Sequence, residues 1–162
     1  MMRAYDEQYL DDAMRNLGEA ADYAVNACKM SLQKFFDLFV ATGFATQFGN
    51  GVPKIISGLS GTELVHEIIV KVGIEQDLPE VQTEYDCSPE YWCGWIVAYY
   101  QWYTGRTFIK IYKVVSVQEL LNMYDVYHEM DIQKFVDEIN ERWEAFYTET
   151  NLKRIRLISG LS

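Results

Sequence analysis

The sequence predicts an all-α fold, a helical bundle of about six to eight helices built around one central aromatic helix at residues 88–104. Three observations predict it. Apolar residues recur at steps of three and four along most of the chain, the period of a helix with one buried stripe. Helix start and stop signals punctuate those stretches: two capping boxes, a Ser-Pro start and several well-placed glycines. The mid-chain segment SPEYWCGWIVAYYQWYTG, residues 88–105, carries seven aromatic residues in eighteen, and a helix apolar nearly all round is a buried one.

Taken in order, Leu10, Met14, Leu17, Ala21, Val25 and Cys28 form the stripe of a first helix, with Asp11, Asp12, Arg15, Glu19 and Asp22 on its wet face. Gly18 weakens its middle and marks a place where another helix can pack closely. Ser31 caps a second helix, LQKFFDLFVATGFATQF, with Phe35, Phe36, Phe39 and Val40 inward, and GNGVP at 49–53 breaks it. SGTE at 60–63 is a capping box. Leu64, Val65, Ile68, Ile69 and Val72 follow it, and Gly73 stops that helix. Residues 74–87 have no clean period and five acids, so they read as a loop between two helical halves. Ser88 as N-cap with Pro89 at the first position opens the aromatic helix, and Gly105 closes it. TFIKIYKVV at 107–115 suits a helical turn or a short strand. Ser116 and Glu119 form a second capping box, and a long helix from about 129 to 148 places Phe135, Val136, Ile139, Trp143 and Phe146 on one face.

Within the aromatic segment, Trp92, Trp95, Tyr99 and Trp102 step by three and four, and Ile96 and Tyr103 widen the stripe. Tyr91, Val97 and Tyr100 extend the apolar surface, which leaves Glu90, Ala98 and Gln101 as the mildest side. Each buried aromatic removes about 150–250 Å² from water, several kcal/mol at ~25 cal/mol/Å². Three uses fit such a rod. It can be the core, it can present Tyr91, Trp92, Trp95, Tyr99, Trp102 and Tyr103 to a protein partner or a second copy, or it can line the small-molecule cleft of a sensor domain or an enzyme with Tyr91, Trp92, Tyr99 and Tyr103. Gly94 allows a second backbone to approach.

Composition excludes several function classes. At 162 residues, 49% apolar and 15% aromatic, the chain fits one domain with a sizeable core. A net charge of −10 disfavours nonspecific binding of nucleic acid or anionic lipid by the body. The longest apolar window, 91–100, is half of what a membrane span of about 20 residues requires. Three cysteines, Cys28, Cys87 and Cys93, form no CxxC, and MMRAYDEQYLDD lacks a basic and an apolar signal region, which predicts reduced thiols in a cytoplasmic chain. His66 begins like HExxH, but Val70 stands where the second ligand belongs. His128, Glu129 and Asp131 lack the company of further ligands. No phosphate loop, dinucleotide fingerprint or nucleophile elbow occurs. The expectation is a chain with no catalytic residue, no metal and no cofactor.

The last residues, NLKRIRLISGLS, differ from the rest. Lys153, Arg154 and Arg156 are the densest basic cluster, on a predicted helix starting near Asn151 whose apolar stripe is Leu152, Ile155 and Ile158. Gly160 ends it. Leu152, Ile155, Arg156, Gly160, Leu161 and Ser162 match the pattern L-x-x-[LI]-R-x-x-x-G-[LM]-S that opens an Xre-type (lambda-repressor-like) helix-turn-helix, and the stretches YLDDAMRNLGEAADYAVNAC, SGLSGTELVHEII, SPEYWCGWIVAYYQWYTG and YHEMDIQKFVDEIN resemble an uncharacterised family from gut Firmicutes. In that family a helical N-terminal domain precedes such a helix-turn-helix, and the genes often lie beside toxin-like reading frames. The resemblance implies an all-α domain over 1–149 and the start of a helix-turn-helix over 150–162, cut off after its first helix. It implies a protein-binding or self-association module of a transcriptional regulator or antitoxin-like protein. A helix-turn-helix reads bases through its second helix, which these residues do not include, so Lys153, Arg154 and Arg156 are expected to touch DNA phosphates only in a chain that carries the complete motif.

Overall fold

In a computed structural model of the chain, residues 2–74, 77–80 and 88–160 are described, and every regular element among them is helical. A 3₁₀ turn (Glu7–Tyr9) leads into α1 (Leu10–Asp22), which runs on into one π-helical turn (Tyr23–Ala27). α2 (Leu32–Ala41), α3 (Phe44–Gly49), a second π turn (Lys54–Gly58) and α4 (Gly61–Lys71) form the first half. α5 (Pro89–Thr104), α6 (Phe108–Val114), α7 (Val117–Tyr127) and α8 (Ile132–Ser159) form the second. The all-α bundle is the fold.

Caps fix most helix starts. Ser31, Ser88 and Thr107 accept from the amide three residues on, and Ser60 with Glu63 and Ser116 with Glu119 close full capping boxes. Gly105 and Gly160 end α5 and α8 at φ 70° and 71°, a left-handed conformation that costs other residues strain. The stretch 107–115, open between helix and strand from its sequence, is helical. Thr107 caps it, and Phe108 and Ile111, three apart, both bury.

Three boundaries differ from the sequence expectation. The stripe that begins at Leu10 leaves α-helical register after Asp22, and the π turn buries Tyr23 and Ala24. The expected single helix over 32–48 breaks at Gly43, φ +86°. The Thr42 hydroxyl donates to the Leu38 carbonyl at 2.7 Å, and the turn brings Phe48 edge-on to Phe39, ring centroids 5.8 Å apart. The separate helix expected from Asn151 does not exist as such: α8 runs unbroken for 28 residues, because no Gly or Pro stands between Thr148 and Leu152 to interrupt it.

α1 is the hub of the packing. It lies along α5 on one side and α4 on another, with Ala13, Leu17, Ala20 and Ala21 sealed from solvent. Both crossings are closed by glycine. A Cβ at Gly94 of α5 would fall 2.4 Å from the Leu17 carbonyl oxygen, and one at Gly61 of α4 would fall 2.4 Å from the Ala20 nitrogen. The backbones touch. A second cluster of rings, Phe39, Phe48 and Phe108, joins α2, α3 and α6. Between α5 and α8, the Tyr100 hydroxyl donates to Asn140 Oδ1 at 2.8 Å, and Arg106 donates to both while its guanidinium covers the Trp143 ring at 3.9 Å.

Candidate interaction surface

α5 sorts its aromatic residues by direction. Trp92 and Trp102 face inward and are buried, as are Tyr100, Ile96 and Val97. Trp92 meets Phe135 of α8 edge-on at 5.7 Å. The side expected to be mildest is also interior: Ala98 and Gln101 are 0% and 2% exposed, because the contact with α1 that Gly94 permits and the packing of α3 cover it. What remains at the surface is Tyr91, Trp95, Tyr99 and Tyr103, all half-buried and spaced by four. The six residues singled out from the sequence therefore divide into two core anchors and a four-residue edge.

The lower end of that edge is already occupied by the chain itself. Trp102 Nε1 donates to the Tyr5 carbonyl at 2.7 Å, the Ala4 amide donates to the Trp102 carbonyl at 2.9 Å, and Arg3 donates to the Tyr103 carbonyl at 2.7 Å. The Arg3 guanidinium lies 3.7 Å from the centre of the Tyr103 ring, and Tyr99 stacks on Tyr103 with centroids 5.7 Å apart. A cleft of about 360 Å³ opens between this strap and the helix, lined by Arg3, Tyr5, Glu7, Tyr99 and Tyr103. Tyr91 and Trp92 take no part in it. Tyr91 lies instead over Gly18 of α1 and Trp92 in the core against Phe135, so of the four residues expected to line one pocket only Tyr99 and Tyr103 share one.

A second cavity, about 280 Å³, lies where α3, α5 and α6 meet, with Val40, Ala45, Asn50, Gln101 and Phe108 in its wall. Gln101 Nε2 donates to the Gly49 carbonyl at 3.4 Å, and its Oε1 is buried without a partner. The Tyr5 hydroxyl is likewise buried and unpartnered, and burial raises its pKa well above the usual tyrosine range.

The histidines and the described cysteines sit in the following surroundings. His66 Nε2 lies 3.3 Å from the Tyr23 hydroxyl, which donates to the Pro79 carbonyl at 2.6 Å. This links the π turn, α4 and the segment after it. His128 Nδ1 lies 2.6 Å from the Tyr124 carbonyl and its ring stacks on Tyr124. Among the described residues no three His, Cys, Asp or Glu side chains gather as metal ligands. Burial pushes the Cys93 thiol far up and the Cys28 thiol up against a lowering hydrogen bond with Tyr23, the reverse of an activated nucleophile. Cys87 lies outside the described residues. No helix among the described residues is long and apolar enough to cross a membrane.

The far end of α8 is a different kind of surface. Leu152, Ile155, Leu157 and Ile158 are 48%, 59%, 83% and 79% exposed, where the earlier turns of the helix bury Phe135, Val136 and Ile139 completely. Lys153 pairs with Glu149 at 3.1 Å. At 100° per residue, Lys153, Arg154 and Arg156 spread over about 160° of the helix and do not make one basic face. Sequence reasoning found Leu152, Ile155 and Ile158 through their spacing. It missed Leu157, which falls on the body-facing side of α8 beyond the point where the body ends. Leu161 and Ser162 lie outside the described residues. No family model matches the chain, and no curated protein and no solved structure matches it either.

Proposed function

We propose that the chain is a protein-binding or self-association module of an Xre-like transcriptional regulator or antitoxin-like protein, acting in the cytoplasm. The observation that carries the reading is the tip of α8, where four large aliphatic side chains project into water within seven residues, 152–158. Isolated apolar side chains on a surface are ordinary, whereas Leu152, Ile155 and Ile158 run together along one side of this protruding element, with Leu157 exposed on the other. Such an apolar tip marks a contact with another macromolecule. The half-buried edge of Tyr91, Trp95, Tyr99 and Tyr103 offers a second, flatter contact of the residue types enriched at interfaces. The acidic body keeps nucleic acid away, and the basic residues Lys153, Arg154 and Arg156 supply phosphate contacts only beside a complete helix-turn-helix.

The test is co-expression with the product of the adjacent gene, which the family resemblance implies to be toxin-like. Co-purification of the two proteins, lost in Leu157→Asp and retained in a charge-neutral surface control such as Gln118→Ala, is the expected result. Failure of the neighbouring product to co-purify removes the antitoxin-like half of the reading. A second reading, a small-molecule sensor, is favoured by one observation, the unpartnered Gln101 Oε1 in the wall of the cavity between α3, α5 and α6. It would accept a hydrogen bond from a small, mostly apolar ligand carrying an N–H or O–H.

A further inference from the structure

Among the described residues, the outer face of α8 is a seam without a partner in one copy of the chain. Glu141, Ala145, Thr148, Leu152, Ile155 and Ser159 follow one another at steps of four, three, four, three and four, the spacing of a coiled-coil stripe. All six are exposed. Each lies away from the body, since Glu141 and Ala145 are two positions past the body-facing Ile139 and Trp143, about 200° round the helix. A second helix can therefore lie along this stripe without meeting the rest of its neighbour.

We propose that two copies of the chain pair through this seam, with their α8 helices antiparallel and the two-fold axis beside Thr150. The inference deepens the self-association half of the reading above and rests on it. Two independent properties choose a second copy, and choose its direction. The first is size. The seam is small at Ala145 and Thr148 and large at Leu152 and Ile155. With the axis beside Thr150, Ile155 of one copy sits over Ala145 of the other, and Leu152 over Thr148. A parallel pair would set large on large and leave a void between the small residues. The second is charge. Asp137, Glu138, Glu141, Glu144 and Glu149 crowd the first part of the helix, and Lys153, Arg154 and Arg156 crowd its tip. The antiparallel arrangement puts each basic tip beside the other copy's acidic run, with Arg156 level with Glu144. A parallel arrangement sets acid on acid and base on base. Leu157 points to the other side of α8 and stays outside this contact.

Sedimentation equilibrium of the 162-residue chain across a micromolar to high-micromolar range tests the pairing. A reversible dimer is expected, weakened at high salt as its charges are screened. Leu152→Glu and Ile155→Glu should each weaken it at least about 30-fold, with the circular dichroism of the body unchanged because both side chains are exposed in the monomer. Direction is read separately. Ala145→Cys and Ile155→Cys chains should form a disulfide when mixed and not when oxidised alone, judged against the wild-type chain treated alike. A folded chain that stays monomeric at the highest concentration overturns the proposal, which is the result expected if a following helix-turn-helix were the natural cover of Leu152 and Ile155. So does a dimer indifferent to both glutamates, or a crosslink formed by Ala145→Cys alone. None of these outcomes bears on co-purification with a neighbouring gene product, so the two readings fail separately.

Discussion

Gly94→Ala tests the crossing on which the fold is centred. The added Cβ would lie 2.4 Å from the Leu17 carbonyl oxygen, 2.8 Å from its carbonyl carbon and 3.0 Å from the Gly18 Cα. Ordinary van der Waals contact begins near 3.4 Å, so α1 and α5 must separate by about 1 Å. All three clashing atoms are backbone, and no side chain can rotate to relieve them. Alanine favours a helix interior over glycine by about 0.8–1.0 kcal/mol, which works against the effect. Overpacking a tight core costs about 1–3 kcal/mol, more where nothing can yield. A gap of 1 Å also forfeits a quarter to a half of each contact across the interface, here those of the sealed residues Ala13, Leu17, Ala21, Val97 and Ala98. The net expectation is a loss of about 2–3 kcal/mol, or about 5–10 °C in Tm for a chain of this size. Urea unfolding followed by far-ultraviolet circular dichroism measures it as a lowered midpoint. Gly73→Ala is the comparison, since nothing lies within 4 Å of its Cβ and only its φ of +74° resists the change, a strain of about 1–2 kcal/mol. A Gly94→Ala midpoint at or above wild type would show that helix propensity wins and that the two backbones do not touch.

Two further outcomes follow from buried and titrating groups. Peptide-resolved maleimide labelling should leave Cys93 unmodified in the native chain and modify it only at the rate of global unfolding, because burial both shields the thiol and raises its pKa; rapid native labelling would mean that α5 opens locally. The Glu119 carboxyl is held below its usual range, first by the Ser116 amide, against partial desolvation, with the Ser116 hydroxyl and Arg142 adding to the effect. The folded chain thus binds this proton less readily than the unfolded one, so the contribution is full above the unfolded value of about 4.3 and is lost as acid drives the pH down through the folded value. Half exposure limits it to less than about 1 kcal/mol, and Glu119→Gln should flatten that part of the acid-unfolding profile without altering the rest.

Much of the architecture was legible because local signals carried it. Ser60 and Ser116 announced their helices through a partner three residues on, Gly105 and Gly160 announced their ends, and the alternating acids and aliphatics after Leu10 gave α1 its face. The break at Gly43 was not legible in the same way. Thr-Gly inside an apolar run is compatible with a continuing helix, and the turn is decided by where Phe44 and Phe48 must go to meet Phe39. The division of α5 was also hidden. Period alone places Trp92, Trp95, Tyr99 and Trp102 on one stripe, yet burial depends on which neighbours arrive, and α1, α3, α7 and α8 cover nearly the whole rod. Gln101 reads as a solvent-facing residue until α3 closes over it. The candidate surface at the tip of α8 was half legible: Leu152, Ile155 and Ile158 could be found by spacing, while Leu157 matters only because the body stops short of it.

The strap over Trp102 has a consequence for the order of assembly. Its carbonyl-to-indole bond joins positions 97 apart in the chain, so the polypeptide between them is a closed ring in the native state. Ring closure of that length is entropically expensive and slow relative to helix growth, and its landing place does not exist until the end of α5 has formed and docked. The first few residues are thus expected to settle last, as a latch on a body already assembled, and they should be the first to let go when the protein is warmed.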